Sequence, residues 1–253
     1  LVLNYATAQQ MLHRVARVRE GSAILVHGAS GGVGTALLQL GRLAGLALHG
    51  TASARKHDRM AGLGARLIDY RREDFVRRIA EDTGGKGVQA VFDPVGGGHL
   101  IRSYRCLGRN GRLVCYGVMD MLRRGRAAGF LHGGGSFALL GLMGAIPDGK
   151  RVSFYAITTC RSKHPGWFRD DLAHLCALLE RRAIEPVIAA RLPLTQAARA
   201  HQMLEEGDAV GKVVLLPDGP GSPAPDGAQG SVAKEDRPGS PAMGGGPARP
   251  SSR

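Results

Sequence analysis

The chain has 253 residues, enough for one large domain or for one domain with part of a second. Hydrophobic residues make up 43% of it, aromatic residues 5%, and 38 residues are glycine, which favours a tightly turned α/β protein over an aromatic-rich β-sandwich. The formal net charge of +13 comes from arginines spread along the chain, with no basic run interleaved with aromatics, so we predict no nucleic-acid partner.

Strand-like apolar runs alternate with segments of helical spacing in residues 1–186. A lead-in helix is predicted over residues 7–18 and a first buried strand over residues 23–27. Near-continuous apolar strands separated by helices are typical of a parallel sheet covered on both faces. We therefore predict an α/β Rossmann fold with a doubly wound, six-stranded parallel sheet. The other strands are predicted over residues 46–51, 66–70, 88–93, 111–117 and 152–159, and the helices between them over residues 35–45, 56–63, 73–82 and 99–107.

Two later segments differ in composition from the rest of the chain. Residues 119–150 are irregular and Gly-rich, which predicts a mobile loop with a short helix. Residues 218–253 consist largely of Pro, Gly, Ser and Ala and lack the apolar content that offsets the entropy of ordering, so we predict a disordered tail. After the loop, helices are predicted over residues 170–182 and 195–206, and strands over residues 187–192 and 211–216.

The cysteines and the hydropathy pattern bear on metal binding and location. None of the four cysteines, at positions 106, 115, 160 and 176, forms a CxxC pair, so we predict no metal site. Without a secretory signal they are expected to be reduced thiols of a cytoplasmic protein. No run of about eighteen apolar residues is free of charges, so no membrane span is predicted.

A glycine-rich segment, GASGGVG, joins the first predicted strand to an apolar helix. Glycines in such a loop permit a tight turn, let the backbone approach a pyrophosphate, and let the helix pack close to the strand. The helix N-terminus supplies unpaired N–H donors to the anion. A purely structural turn is the alternative, whereas a Walker A loop is excluded because no Gly-Lys-Ser/Thr follows. The candidate pyrophosphate ligands are Gly28, Ser30, Gly31, Gly32, Val33 and Gly34.

The end of the second predicted strand indicates which dinucleotide is bound. NAD-specific sites place an acid about 20 residues beyond the loop, where it binds the ribose 2′-hydroxyl. This chain instead has Ser53, Arg55 and Lys56 there, which can donate hydrogen bonds and positive charge to a 2′-phosphate. We therefore predict NADPH as cofactor. Arg55 and Lys56 could alternatively be an ordinary solvated helix start.

The motifs distinguish between two dehydrogenase families. Short-chain dehydrogenases need Tyr-x-x-x-Lys, and no tyrosine here is followed by lysine at that spacing. The chain instead resembles the medium-chain dehydrogenase/reductase superfamily, in particular its zinc-independent quinone oxidoreductase branch. The resemblance covers roughly residues 1–217 and is carried by ATAQQML, RVREG, VHGASGGVG, IDYRREDF, VFDPVGG, GRLVCYG and AHQMLEEGDAVGKVVLLP.

The resemblance implies further site residues. Tyr70 would lie near the adenosine phosphate, and Val95, Gly117 and Val118 near the ribose and nicotinamide. A strand-end aromatic is the alternative for Tyr70. Asp93 is more simply explained as a strand-end cap than as a ligand neighbour. The resemblance identifies no catalytic residue.

The resemblance also implies an activity and its limits. Members of the superfamily begin with a GroES-like catalytic domain of about a hundred residues. That domain is missing here, and residues 187–217 would normally complete it. The implied activity of the full-length parent is NADPH-dependent hydride transfer to a small hydrophobic quinone or α,β-unsaturated carbonyl. The alternatives are a catalytically incomplete nucleotide-binding fragment and a zinc-type alcohol dehydrogenase. A homodimer is expected through edge-to-edge pairing of the strand at residues 152–159.

Overall fold

Six parallel strands form the central sheet, and its inner strands are largely buried, as expected where helices cover both faces of a sheet. A computed structural model describes residues 2–117, 135 and 137–217. Val118, residues 119–134 of the predicted loop and the predicted tail at 218–253 lie outside this part of the chain. The strands are β1 (Ala23–Val26), β2 (Ala47–Ala52), β3 (Arg66–Asp69), β4 (Val88–Asp93), β5 (Leu107–Cys115) and β6 (Arg151–Phe154).

Helices connect the strands and cover the sheet on both faces. The first, α1 (Asn4–Gln9), continues as a π-helical segment (Gln10–Ala16) that ends at Arg17 in the left-handed conformation. Asp74 caps the helix Phe75–Asp82 (α4) by accepting a hydrogen bond from the Val76 N–H at 3.0 Å. The other helices are α2 (Gly32–Leu43), α3 (His57–Met60), α5 (His99–Arg105), α6 (residues 137–144), α7 (Ile157–Lys163), α8 (Pro165–Glu180) and α9 (Ala197–Glu205).

The strand order is β3-β2-β1-β4-β5-β6, and every neighbouring pair is parallel. This is the strand order of a doubly wound dinucleotide-binding sheet, so the predicted fold is confirmed. Successive side chains of a strand point to opposite faces. In β1, Ile24 and Val26 accordingly join a core with α1, α2 and α8, whereas Leu25 joins a second core with α4 and α5.

The sixth strand is shorter than predicted. The strand expected over residues 152–159 ends at Phe154, and α7 begins at Ile157. Tyr155 explains the difference: its N–H donates a last bond to the Cys115 carbonyl at 2.7 Å, and its hydroxyl donates to Gln10 Oε1 at 2.8 Å. Because Gln10, the buried partner of the Tyr155 hydroxyl, lies on the lead-in helix, the chain turns away from the sheet edge at Tyr155.

The C-terminal part contains the predicted strand, helix and strand. β7 (Ile188–Pro193) and β8 (Lys212–Leu216) form a separate two-stranded parallel sheet with α9 between them. Just before β8, the Gly211 N–H donates to the Ser30 carbonyl at 2.8 Å. The start of β8 therefore lies against the glycine loop. Nowhere in the described ranges is a helix long and apolar enough to cross a membrane.

Candidate cofactor site

The strand order reverses between β1 and β4, which are direct neighbours in the sheet. At such a switch point the loops that follow the two strands diverge, and a crevice opens beyond the carboxyl ends of the strands. The glycine loop follows β1 here, and the VFDPVGG motif ends β4 and follows it. The structure therefore brings the two principal sequence motifs to one edge of the sheet.

The glycine loop is a tight turn closed by backbone hydrogen bonds. Gly28 has φ +61°, and its carbonyl accepts from the Gly31 N–H at 2.9 Å. The Ala29 N–H donates to the Thr51 carbonyl at 3.0 Å, which ties the turn to β2. A Cβ on Gly34 would overlap the Gly28 carbonyl oxygen and lie 2.7 Å from the Ala29 carbonyl carbon. Helix α2 therefore packs directly on the turn, as the sequence predicts for a pyrophosphate loop.

The first turn of α2 faces residues that the sequence analysis missed. A Cβ on Gly32 would overlap the Asn4 side chain and lie 3.2 Å from Lys212 Cδ. Val33, the next residue, packs against the core shared with α1 and α8. Lys212 adds a cation beside the start of α2, where an anion is favoured. The two residues come from the opposite ends of the described chain, so no local pattern could reveal them.

A cationic cluster lies where β2 ends. The Lys56 ammonium donates to Ser30 Oγ at 3.0 Å, so this lysine reaches the glycine loop. Partial burial and the positive charges of Arg55, Arg59 and Arg71 lower the pKa of Lys56. Four cations around one short segment form a strong anion-binding environment. Ser53, at the same place, is buried.

Arg55 is held by the C-terminal segment. Its guanidinium pairs with Asp208 at 2.7 Å and donates to the Glu206 carbonyl at 2.7 Å. Arg59 donates to the Asp208 carbonyl at 2.7 Å. Of the predicted phosphate ligands, Lys56 therefore faces the glycine loop and Arg55 faces the segment before β8. Tyr70 follows β3 and is 52% exposed, so its ring is open to a ligand.

The loop after β4 is shaped by Asp93. Its Oδ1 accepts from the Val95 N–H at 2.7 Å and from the Gly96 N–H at 3.2 Å, so its role as a strand-end cap is confirmed. A Cβ on Gly117 would lie 2.5 Å from the Pro94 carbonyl oxygen. Gly117 therefore packs against Pro94, the residue before Val95, and the place of Val95 and Gly117 near the ribose and nicotinamide stays a prediction.

A buried hydrogen-bond network lies beneath this loop. Ser103 Oγ donates to Asp93 Oδ2 at 2.6 Å and contacts His27 Nε2 at 3.2 Å. Since the serine proton is committed to the carboxylate, His27 Nε2 donates to Ser103. His27 Nδ1 then accepts from the Thr51 hydroxyl at 3.0 Å. His99 Nδ1 pairs with Asp93 Oδ2 at 2.8 Å.

Burial governs the charges in this network. It lowers the pKa of His27 to about 3, so this imidazole is neutral at physiological pH. Burial opposes ionisation of Asp93, but hydrogen bonds from His99 and Ser103, and the charges that the two histidines carry once protonated in acid, outweigh it and lower the pKa of the carboxyl to about 2.

The same network has a donor set that could hold a metal ion. Ligand atoms of His27, Asp93 and His99 lie within 4.8 Å of one another. Each of these atoms already has a hydrogen-bond partner in the protein, so a metal would have to replace those bonds. The arrangement is that of a structural network that fixes the loop after β4.

His27 is expected to make the folded chain less stable in acid. Unfolded histidine takes up a proton below about pH 6.5, whereas folded His27 does so only near its lowered pKa of about 3. The unfolded state therefore binds more protons, and stability falls by about 2 kcal/mol between pH 7 and pH 5 from this residue alone. Urea unfolding at both pH values measures the loss, which His27→Gln should reduce by that amount. An equal pH dependence in both chains would contradict the prediction.

The chain matches a known protein family. A family model described as a zinc-binding dehydrogenase matches residues 63–215, more than half of the chain. The chain belongs to the zinc-binding dehydrogenase family. Its relatives place it in the medium-chain dehydrogenase/reductase superfamily, on the zinc-independent, quinone oxidoreductase-like branch that the motifs indicated.

Three relatives illustrate the similarity. The synaptic vesicle membrane protein VAT-1 homolog of Rattus norvegicus is 32% identical over 229 residues, which are 86% of this chain and 54% of that protein. This chain thus spans about half the length of that relative. A mycobacterial protein solved in complex with NADPH is 30% identical, with a TM-score of 0.69 over 86% of this chain and 64% of that one. A quinone oxidoreductase of Pseudomonas syringae is 26% identical, with a TM-score of 0.69 over 85% of this chain and 62% of that one.

Proposed function

We propose that this chain is the NADPH-binding part of an oxidoreductase that transfers hydride to a quinone or an α,β-unsaturated carbonyl. The observation that carries the proposal is the contact between Lys56 and Ser30. It joins the cationic end of β2 to the turn that would hold the pyrophosphate. One continuous anion-binding surface would thus serve the pyrophosphate and the 2′-phosphate of NADPH.

The charge pattern favours NADPH over NADH. A 2′-phosphate carries nearly two negative charges and is repelled by the acid that NAD-specific sites place after the second strand. Residues 51–56 contain no acid and end in Arg55 and Lys56, with Arg59 and Arg71 close by. Lys56 would pair with the extra phosphate, and Arg59 and Arg71 would add positive charge around it, whereas Arg55 is paired with Asp208.

The chain's own residues would bind and orient the cofactor. When bound, the nicotinamide supplies the hydride. The Asp93 network fixes the loop that carries Val95, and Val95 and Gly117 would lie beside the ribose and nicotinamide. Relatives named as a quinone oxidoreductase, an enoyl reductase and a 2-haloacrylate reductase support a quinone or conjugated carbonyl as acceptor.

Two measurements, cofactor titration and substrate turnover, examine separate parts of the proposal. Titration by intrinsic fluorescence should give a lower Kd for NADPH than for NADH, and tighter binding of NADH would contradict the cofactor assignment. Saturable NADPH oxidation with 1,2-naphthoquinone would support the activity. Binding without turnover would instead support a catalytically incomplete nucleotide-binding chain. Stoichiometric zinc in elemental analysis would favour an alcohol dehydrogenase.

We further propose that two copies pair through β6. This strand is the last in the sheet, and Phe154 on it is 42% exposed and contacts the 51% exposed Phe137 with ring centroids 5.0 Å apart. The outer edge of a last strand is a template for strand pairing across a twofold axis. Phe154→Lys should convert a dimer to a monomer in light scattering, whereas Leu204→Lys on α9 should not. A wild-type monomer would contradict the proposal.

A further inference from the structure

Helix α2 begins without a side chain that caps it. Gly31, the residue before the helix, has no side chain that could accept from the first turn, and that turn contains no Asp or Glu. The first N–H groups of a helix and the positive end of its dipole are normally stabilised by such side chains. The start of this 12-residue helix is therefore open to an anion, which the proposed function identifies as the cofactor pyrophosphate.

A polar side chain of the lead-in helix lies against the same helix start. Asn4 is the first residue of α1, and a Cβ on Gly32 would overlap its amide nitrogen. Asn4 is only 8% exposed, and its side-chain amide forms no hydrogen bond within the part of the chain that the structure describes. Because a buried amide without a partner is costly, a ligand that bonds to it at the start of α2 would remove that cost.

The Asn4 amide remains within reach of a ligand. Among the described residues, the side-chain atoms that lack both a hydrogen-bond partner and accessible surface belong to His49, Arg78 and Asp82. Since the Asn4 amide also lacks a partner, its absence from this group means that its atoms keep accessible surface. An oxygen atom of a ligand at the first turn of α2 can therefore accept from the Asn4 amide.

A lysine from the C-terminal segment adds a positive charge at this place. Lys212, the first residue of β8, is exposed, and its Cδ would lie 3.2 Å from the same Cβ on Gly32. Within the described ranges its ammonium group forms no ion pair. A cation without a carboxylate partner beside a helix N-terminus strengthens the attraction of that N-terminus for an anion.

We propose that Asn4 and Lys212 are ligands of the cofactor pyrophosphate, an inference that rests on the proposed function. The Asn4 amide donates to a pyrophosphate oxygen at the first turn of α2, and the Lys212 ammonium pairs with the same group from the side of β8. NADPH and NADH share this group, whereas the 2′-phosphate is the target of Lys56. The C-terminal segment therefore contributes a ligand of its own to the cofactor site.

An Asn4→Asp chain distinguishes a ligand from a residue that only packs. The change keeps the size of the side chain, and a carboxylate beside the start of α2 and near Lys212 is favourable in the free protein. The melting temperature without cofactor should therefore stay the same or rise. The Kd values of NADPH and NADH should both rise at least about tenfold, because a donor is lost and the carboxylate repels the pyrophosphate. Their ratio should not change.

A matched control and two smaller probes locate the effect. Asn110→Asp makes the same change at an exposed position in the first half of β5, away from the carboxyl ends of the strands, and should leave both Kd values unchanged. ADP-ribose, which contains the pyrophosphate, should bind more weakly to the Asn4→Asp chain. Adenosine 2′-monophosphate lacks the pyrophosphate and should bind to this chain as it does to the wild type.

The charge of Lys212 is tested separately. Lys212→Gln should raise the Kd of both dinucleotides about threefold, as expected for an exposed ion pair, and should reduce the salt dependence of binding. Lys86→Gln removes an exposed lysine just before β4, at the amino ends of the strands, and should change neither quantity.

The outcomes separate this inference from the proposed function. Unchanged dinucleotide binding in the Asn4→Asp chain would overturn the inference. A lower melting temperature of that chain, with adenosine 2′-monophosphate weakened as much as ADP-ribose, would also overturn it, because Asn4 would then only support the fold. If the wild-type chain binds neither NADPH nor NADH, the proposed function fails, and this inference fails with it.

Discussion

A chain with Gly34→Ala is expected to lose at least about a hundredfold in NADPH affinity and about 3 kcal/mol of stability, the upper part of the range for overpacking. The added Cβ would overlap the Gly28 carbonyl oxygen and lie 2.7 Å from the Ala29 carbonyl carbon. Neither backbone atom can easily move away from the added Cβ. The Gly28 carbonyl accepts from the Gly31 N–H, and the Ala29 N–H is bonded to the Thr51 carbonyl.

Helix α2 would therefore have to move away from the turn. Such a movement takes the N–H groups of its first turn out of the position where they would meet the pyrophosphate. NADPH titration and urea unfolding measure the two effects. Gly62→Ala is the control, because a Cβ at Gly62 has nothing within 4 Å. Unchanged binding in Gly34→Ala would mean that the close packing of α2 on the turn is irrelevant to the cofactor.

The glycine loop could be predicted because its determinants are local. The strand, the turn residues and the helix follow one another within residues 23–43, and each has a sequence pattern of its own. The strand order also follows once several strand–helix units are recognised, because right-handed crossovers leave few alternative topologies. The end of β6 was predicted wrongly since it depends on Tyr155 bonding to Gln10, 145 residues away.

The cationic cluster shows the same division between local and distant determinants. Arg55 and Lys56 are adjacent in sequence and were predicted as phosphate ligands. Arg59 and Arg71 join them only because α3 and the turn after β3 fold to the same edge. The pairing of Arg55 with Asp208 joins residues more than 150 positions apart. A pattern of residue types cannot show which of two neighbouring cations faces the cofactor and which faces the C-terminal segment.

A chain with Lys56→Glu is expected to lose the preference for NADPH. Loss of one charge-assisted bond to the 2′-phosphate weakens binding by roughly tenfold to a hundredfold, and the introduced carboxylate adds repulsion. NADH lacks that phosphate, and its 2′-hydroxyl can donate to a carboxylate as in NAD-specific sites. The Kd for NADPH should therefore rise at least about a hundredfold, while the Kd for NADH stays the same or falls.

The ratio of the two dissociation constants, measured by the same fluorescence titration, isolates the role of Lys56. Loss of its contact to Ser30 could disturb the glycine loop, but that disturbance would weaken both dinucleotides equally. Lys163→Glu, on the exposed end of α7, makes the same change of net charge far from the end of β2 in sequence and should leave the ratio unchanged. An equal rise in both dissociation constants would mean that Lys56 supports the loop and does not bind the 2′-phosphate, which would leave NADPH and NADH equally compatible with the site.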